Sequence, residues 1–357
     1  MTNDCPIVLV HGLFGWGASE LLGGGFPYWG TGHSVRSRLP RYEASVGPIS
    51  SLHDRACELA FQIKGGRVDY GGAHAAEAGH ARYGRTYESA FHPTWSAKRP
   101  VHLVGHSMGA STAVLLQQLL AEDFFDWDST DRWVASISSL SGVLNGTTAT
   151  YFFGCDPVTG LVKKEGAAGH LGHAIETMLR ATGDRLTRAY DFHLDQWGLG
   201  LRGGEDLPNY VTEKTMSGVF LNHAYPQPGM NPFLIPSALY VGQAEFETPF
   251  FPSFNAEDWW PNDGLVSTYS QMYPRIAGDH PVRGVINDAA GYVSGGWYYQ
   301  LLHDRDHIDL VALPSLGKRR WQKRFYKALF NRLAHLDLRP SAEYQSLLRD
   351  PGLVLPS

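Results

Sequence analysis

The sequence predicts an α/β protein with a mostly parallel central sheet flanked by helices. Short apolar runs bounded by turn residues recur along the chain, a pattern typical of buried strands. Helical patterns lie between these runs, and this alternation builds a parallel sheet covered on both faces. The chain has 357 residues and shows no internal repeat or low-complexity linker, so we expect one large domain over residues 1–357.

The predicted elements follow from local pattern. A helix is expected over Leu52–Lys64, because Ser51 precedes it and Gly65-Gly66 ends it. A second helix is expected over Met108–Leu120, directly after a strand. The five expected strands are Pro6–Val10, Val101–Gly105, Val134–Leu140, Ala238–Val241 and Ile308–Leu313.

Composition excludes several classes of protein. Apolar residues make up 43% and charged residues 18%, which is typical of a globular chain and not of a disordered one. The net charge is −5, whereas nucleic-acid-binding domains are typically basic, so nucleic-acid binding is not expected. The longest uncharged stretches, Trp133–Cys155 and Ser217–Ala244, are rich in Ser, Gly, Asn and Pro, so no transmembrane anchor is expected.

The strongest chemical motif is Gly105-His106-Ser107-Met108-Gly109, which fits G-x-S-x-G. It follows a predicted strand and precedes a predicted helix, as a nucleophile on a strained strand-to-helix turn requires. The alternative interpretation is an ordinary glycine-rich turn. The context favours Ser107 as a nucleophile.

A serine hydroxyl needs a base and an orienting acid, which in this architecture follow the serine along the chain. Three histidines, His303, His307 and His335, lie late in the chain, near the last expected strand, and we select His307. Asp263 lies in a loop before Leu265-Val266 and is the candidate acid; its alternative is a turn aspartate before Gly264.

An oxyanion hole needs backbone donors. The amide of Met108, after the nucleophile, is the first candidate. The second is the amide of Leu13, in the glycine-containing turn that leaves the first strand, although a simple β-turn is the alternative there.

Ten segments of the chain together resemble the zinc-containing thermostable true lipases of the Bacillus and Geobacillus type, members of the α/β-hydrolase superfamily. These segments are Pro6–Gly12, Gly15–Gly17, Tyr28–Gly30, Val46–Pro48, Asp54–Glu58, Val68–Gly71, His80–Arg82, Gly84–Tyr87, Asp195–Gly198 and Asn262–Gly264.

The resemblance implies the same triad, with Ser107 as nucleophile, Asp263 as acid and His307 as base. The chain departs from the family at Gly105, where Ala is common, at Met108, where Gln is usual, and at Leu13, where Phe is usual. Because the oxyanion donors are backbone amides, the mechanism transfers better than the substrate preference.

The resemblance also implies a zinc site. Two aspartates and two histidines of the family match Asp54, His74, His80 and Asp195. Spacing alone is a weak signal, since Asp54 also suits a helix cap and Asp195 a turn. Four protein ligands close a tetrahedral zinc, so its role should be structural. It would attach an insertion over residues 54–87, expected to be a loop, to the sheet.

Calcium is a weaker expectation from the same resemblance. Gly229 and Asp309 match ligands of the family's calcium site. The next expected aspartate falls at Pro314, so one ligand is lost.

Residues 147–195 form an insertion that contains Leu171, Ile175, Met178 and Leu179 at helical spacing. That pattern predicts an amphipathic helix. A helix packed permanently on the core is one interpretation, and the resemblance implies a mobile lid.

The predicted function is carboxylic ester hydrolysis, with triacylglycerols at an oil–water interface as substrate. The alternatives are a soluble carboxylesterase or polyester hydrolase with the same triad, a non-catalytic binding protein of the same fold, and zinc-dependent hydrolysis. The intact triad argues against the binding protein, and a closed zinc site argues against metal chemistry.

Localisation is predicted from two observations. The resemblance implies secretion, but Met1-Thr2-Asn3-Asp4 runs straight into a strand without a signal peptide. The chain is therefore either cytoplasmic or lacks a leader that the full protein has. The three cysteines, Cys5, Cys57 and Cys155, form no disulfide or metal pattern and do not settle the compartment.

Overall fold

The structure is a computed structural model. It describes residues 3–18, 20–147, 190–193, 195–197, 237–242, 261–273, 282–289, 292, 297–312 and 316–338. The strands are β1 (Ile7–Val10), β2 (Arg41–Ala44), β3 (Gly66–Asp69), β4 (Tyr83–Tyr87), β5 (Val101–His106), β6 (Val134–Leu140), β7 (Ser237–Gly242), β8 (Val282–Val285) and β9 (Trp297–Leu302). The helices are α1 (Thr31–Ser34), α2 (Leu52–Lys64), α3 (Gly72–Ala78), α4 (Met108–Ala121), α5 (Thr268–Met272) and α6 (Leu316–His335).

Seven of the described strands form one sheet in the order β2-β1-β5-β6-β7-β9-β8. Every pair of neighbours in it is parallel. Parallel strands place their carboxyl ends at one edge, where the turns after β1 and β5 meet. The prediction of an α/β fold with a largely parallel sheet is confirmed.

Strand β1 shows how the core is divided. Its four residues are fully buried, and their side chains alternate between the two faces of the sheet. Val8 and Val10 join a core cluster with residues of α2 and α4. Ile7 and Leu9 join a second cluster with residues of α6.

Helices α2 and α4 follow the predicted bounds closely. Ser51 caps α2 by accepting a hydrogen bond from the backbone N–H of Asp54, and Gly65 ends the helix with a φ of 90°. Helix α4 begins at Met108, immediately after β5. The capping residues and the glycine stop are local signals, which is why the sequence predicts these helices well.

One predicted strand is wrong. Residues 308–312 form turns, with Val311 N–H bonded to Ile308 O, and Ile308 is 61% exposed. The nearby sheet strand is β9, which pairs with both β7 and β8. A short apolar run cannot by itself distinguish a buried strand from a turn that buries only part of its side chains.

Residues 54–87, expected to be a loop insertion, contain most of α2, the antiparallel pair β3–β4 and the intervening α3. Most of the expected lid region, 147–195, lies outside the described residues. In the part of the chain that the structure covers, no helix is long and apolar enough to cross a bilayer.

Candidate active site

Ser107 occupies a strained turn between β5 and α4. Its φ is 55° and its ψ is −126°, a conformation that non-glycine residues rarely adopt. Its backbone N–H donates to Leu140 O at 2.9 Å, which ties the turn to β6. Such strain persists only where the surroundings hold it in place, and it is common at functional sites.

Two glycines of the motif make the turn sterically feasible. A Cβ on Gly105 would lie 2.4 Å from the backbone N of Ala110. A Cβ on Gly109 would lie 2.0 Å from Val10 O, in the neighbouring strand. With this backbone a Cβ at either position would clash, so glycine at both positions lets α4 start close to both strands.

The structure brings the predicted base and acid together. His307 Nδ1 lies 2.8 Å from Asp263 Oδ2, and His307 N–H donates to Asp263 O at 2.8 Å. Both side chains are buried. Asp263 Oδ1 accepts backbone N–H bonds from Leu265 and Val266. These two bonds hold the carboxylate in place independently of its contact with the imidazole.

The other two histidine candidates do not fit this role. His303 is exposed, and His335 lies on the surface of α6, where its Nδ1 donates to Asn331 O. His307 is adjacent to the serine turn, because His106 Nε2 lies 2.9 Å from His307 O. Within the described residues Ser107 Oγ and His307 form no hydrogen bond, a looseness common in ligand-free hydrolases.

The turn after β1 packs on the serine. A Cβ on Gly12 would lie 2.8 Å from Ser107 Cβ. Gly12 N–H donates to Tyr28 Oη and Phe14 N–H donates to Pro48 O. Among the hydrogen bonds of the described residues, none is donated by the amides of Leu13 and Met108. These two amides therefore remain the candidate donors for an oxyanion hole.

Sequence reasoning missed the side chains that hold this turn. Arg55 is fully buried and donates to His11 O, Gly47 O and Thr112 Oγ1. Burial lowers its pKa to about 10. Arg55 thus fastens the start of the turn to α4, and no local pattern identifies it, because its partners come from distant segments.

Three of the four predicted zinc ligands meet. Asp54 Oδ1 lies 2.8 Å from His74 Nε2 and 3.5 Å from His80 Nε2. His74 lies in α3, and His80 follows the left-handed Gly79 that ends this helix. The donor atoms of the three residues lie within 4.8 Å of one another.

The ring orientation of His80 suits a metal. Its Nδ1 lies 2.8 Å from Ala81 O and donates to it, because a carbonyl only accepts. This backbone contact directs Nε2 towards Asp54, the arrangement usual for histidine ligands. Burial acts to lower the pKa of His80, but the Asp54 carboxylate raises it above its usual value.

The fourth predicted ligand, Asp195, lies apart from this cluster. Its Oδ2 accepts from Arg85 Nε at 2.7 Å, and its side chain is 41% exposed. The next residue, Gln196, instead contacts Asp54, with Nε2 3.2 Å from Oδ2. The segment of Asp195 therefore borders the cluster while its carboxylate is paired with an arginine.

The calcium expectation gains no support. Asp309 is buried, and its Oδ2 lies 2.6 Å from Lys318 Nζ, so an ammonium group already balances the carboxylate. Gly229 and Pro314 lie outside the described residues.

A second group of metal-type side chains escaped the sequence prediction. Glu20, Asp191 and His193 converge, with His193 Nδ1 also 2.9 Å from Glu58 Oε2. Burial opposes protonation of His193, but Glu58 raises its pKa to about 9. Arg85 bonds to Asp191 in the same group, so an ion pair already balances one carboxylate of these three possible metal ligands.

Comparisons with known proteins identify the family of the chain. The family model "Lipase-like, C-terminal domain" matches residues 3–224. Lipase 1 of Staphylococcus aureus (strain MRSA252) is 31% identical over 371 residues, covering 88% of this chain and 51% of that protein. Lipase 2 of the same strain is 29% identical over 398 residues, covering 94% and 54%. The chain thus spans about half the length of the curated relatives it matches.

Solved structures give the same result. Staphylococcus hyicus lipase superposes with a TM-score of 0.69 at 26% identity, covering 93% of this chain and 96% of that one. Lipase 1 from Pelosinus fermentans gives 0.64 at 28% identity, covering 94% and 100%. EstA from Clostridium botulinum gives 0.63 at 27% identity, covering 94% and 88%.

These comparisons support the resemblance to lipases, and the relatives that they identify include staphylococcal lipases. They do not specifically identify the Bacillus and Geobacillus type. The parallel sheet, the serine turn and the matches together lead to one conclusion: the chain belongs to the lipase-like C-terminal domain family and has an α/β-hydrolase fold.

Proposed function

We propose that this chain is a carboxylic ester hydrolase that acts through Ser107, His307 and Asp263. The observation that carries the proposal is the buried 2.8 Å contact between His307 Nδ1 and Asp263 Oδ2, beside the strained Ser107 turn. A histidine base that contacts a buried acid and lies beside a half-buried serine turn is the arrangement that catalyses acyl transfer.

Asp263 fixes the tautomer of His307 that carries hydrogen on Nδ1, which leaves Nε2 to act as the base. Nε2 takes the proton of Ser107 Oγ as the oxygen attacks the ester carbonyl. It then gives this proton to the departing alcohol, and an acyl-enzyme remains. A water, activated by the same nitrogen, releases the acid and regenerates Ser107.

Negative charge develops on the carbonyl oxygen during both steps. The backbone amides of Leu13 and Met108 would donate to it. Loss of one such donor typically slows turnover by about 10²–10³-fold. Because these donors belong to the backbone, side-chain changes at the two positions would alter the acyl pocket more than the chemistry.

Triacylglycerols at an oil–water interface are the proposed substrate, on the strength of the relatives that are named lipases. A soluble carboxylesterase or polyester hydrolase would use the same triad. Rates measured across acyl lengths, below and above the solubility limit of the ester, separate them. A lipase should show a rise in rate at that limit.

The predicted lid offers a variant for this measurement. Leu171 and Ile175 lie outside the described residues. Replacing both with Ser should reduce the rise in rate at the solubility limit and leave short-ester turnover unchanged. The reason is that the variant helix would no longer present an apolar stripe for the oil–water interface to bury. A linear rate through the limit in the wild type would favour the soluble esterase.

We also propose a structural zinc held by Asp54, His74, His80 and Asp195. The donor set suits zinc, since two imidazoles and carboxylates are among its usual ligands. Asp195 would have to leave Arg85 to join the other three. When bound, the ion would supply the positive charge that links α2 and α3 to the segment of Asp195.

This ligand set supports the narrower kinship with the zinc-containing Bacillus and Geobacillus type. A native mass that exceeds the chain mass by one zinc would support it, and a zinc-free protein would contradict it. Secretion stays a prediction from the same resemblance, and cell fractionation tests it.

A further inference from the structure

A buried path of hydrogen bonds joins the turn after β1 to His307. Gly12 N lies 2.9 Å from Tyr28 Oη, and Tyr28 Oη lies 2.7 Å from His106 Nδ1. His106 Nε2 lies 2.9 Å from His307 O. Tyr28 and His106 are both buried, so water does not compete for these bonds.

The directions of these bonds follow from elementary chemistry. Burial and the neighbouring His307 lower the pKa of His106 well below its usual value, so the ring is neutral and carries one hydrogen. A carbonyl only accepts, so this hydrogen is on Nε2 and points to His307 O. Nδ1 must then accept from the Tyr28 hydroxyl, whose oxygen accepts from Gly12 N–H. Each donor and acceptor on the path is used in one consistent direction.

We propose that Tyr28 and His106 are positioning residues for ester hydrolysis, which hold the oxyanion turn and the base at fixed positions about Ser107. This inference rests on the proposed function. Neither residue touches the reacting atoms. Tyr28 acts through Gly12 and the adjacent Leu13 amide, and His106 acts through the backbone of His307.

Position matters here because both ends of the path must meet the same reacting carbonyl. Ser107 follows His106 directly in the chain, so the nucleophile, the oxyanion turn and the base are all attached to one rigid unit. A displacement of about 1 Å in such a site can cost roughly 10²-fold in rate. We therefore expect loss of the path to lower kcat and leave KM almost unchanged.

Packing by the Tyr28 ring must be separated from the role of its hydroxyl. The ring packs edge-on against Trp16 and Trp29, with centroids 5.3 Å away in each case. Phenylalanine retains these ring contacts and removes only the oxygen. Tyr28→Phe thus tests the hydrogen-bond path with little change in volume.

Tyr326 provides a matched control. It lies in the same core cluster as Tyr28, is fully buried and donates its hydroxyl to Leu310 O. Among the hydrogen bonds of the described residues, none joins its hydroxyl to Gly12 or His106. Tyr326→Phe therefore reports the cost of losing one buried hydroxyl in this cluster without breaking the path.

The experiment measures kcat and KM on a water-soluble p-nitrophenyl butyrate, together with the melting temperature, for the full chain. Tyr28→Phe should lower kcat by about tenfold and change KM by less than about twofold. Tyr326→Phe should keep kcat within about twofold while losing a similar amount of melting temperature. Equal kcat in the two variants would overturn the positioning role of Tyr28.

His106 is tested by rescue. His106→Phe removes both polar contacts and should lower kcat by about 10²-fold. His106→Gln keeps an N–H that can reach His307 O and should recover most of that loss. A Gln variant as slow as the Phe variant, with both folded, would overturn the role of His106. If the Phe variant does not fold, the Gln variant must stay within about fivefold of the wild-type kcat.

Failure of the proposed function has a different signature. A wild-type protein that hydrolyses no ester, and whose Ser107 is not labelled by a fluorophosphonate, would overturn that function and this role together. An active wild type with an unaffected Tyr28→Phe would overturn the positioning role alone.

Discussion

Asp263 and Asp54 are both buried carboxylates that face histidine, but their hydrogen bonds come from different sources. Asp263 accepts two backbone N–H bonds and one imidazole N–H. Asp54 faces two imidazoles and the side-chain amide of Gln196. The first arrangement brings one ring nitrogen of a single histidine to the carboxylate, whereas the second brings two ring nitrogens to one oxygen.

The difference predicts two separate kinds of sensitivity. At Asp263 the backbone fixes the acid, so changes to the triad should affect rate and leave stability almost unchanged. At Asp54 the group depends on shared protons or a cation, so changes there should affect stability and leave rate almost unchanged.

Ser107→Ala should lower ester turnover by about 10⁴-fold or more, because the covalent step is lost. Its melting temperature should stay within about 2 °C of the wild type, since only one oxygen is removed. Hydrolysis of a soluble ester and thermal unfolding measure the two effects. Near-wild-type turnover would refute the triad.

His307→Ala should be as damaging as Ser107→Ala, and the double variant should be no slower than either single variant, because the two residues act as a unit. His303→Ala is the matched control, an exposed histidine in the turn just after β9. Its turnover should stay within about twofold of the wild type. If the His303 variant were crippled and the His307 variant were not, the base would have to be reassigned.

Removal of the proposed zinc, or His80→Ala, should lower the melting temperature by about 4–7 °C, since removing one partner of a buried charged pair typically costs about 3–5 kcal/mol. Turnover at 25 °C should change by less than about threefold, because His80 contacts no triad residue in the described chain. Elemental analysis, thermal unfolding and kinetics check this. Loss of turnover without loss of stability would mean that the Asp54 cluster affects rate and not stability, contrary to this prediction.

Ile308→Ser should have the smallest effect. Ile308 follows His307 directly but is 61% exposed. The melting temperature should shift by less than about 1 °C, and short-ester turnover by less than about twofold. A large loss of rate would mean that the whole turn, and not the His307 side chain, determines the sensitivity of this region.

Local signals explain what the sequence predicted well. Ser107 is identified by the five-residue motif that contains it, and α2 by its serine cap and glycine stop. Asp263 and His307 are predictable in type, because the fold orders acid and base after the serine. Their contact is a tertiary fact that the sequence does not contain.

Tertiary contacts also explain what the sequence missed. Tyr28, Arg55 and His106 act through partners that lie far away in the chain. The expected strand at Ile308–Leu313 failed because apolar content alone does not show which side chains are buried. Asp195 matched a ligand position by resemblance to the family, but its carboxylate pairs with Arg85, and a charge partner of that kind leaves no pattern in the sequence.

The strand order has a consequence for the timing of biosynthesis. Strand β1 pairs with β2 and β5, and β6 joins next to β5, so residues up to Leu140 can form four adjacent strands as soon as they leave the ribosome. Asp263 and His307 are made later. At roughly 5–20 residues per second, His307 follows on the order of 10 s after Leu140.

During that interval the growing chain carries Ser107 but not the proposed base, so it cannot carry out the proposed ester hydrolysis. The same interval leaves the outer edge of β6 without its partner β7. An unpaired apolar edge is a template for aggregation. The order that delays the proposed activity therefore also leaves the unfinished chain prone to aggregation, and slowing synthesis between residues 140 and 237 should lower the yield of folded protein.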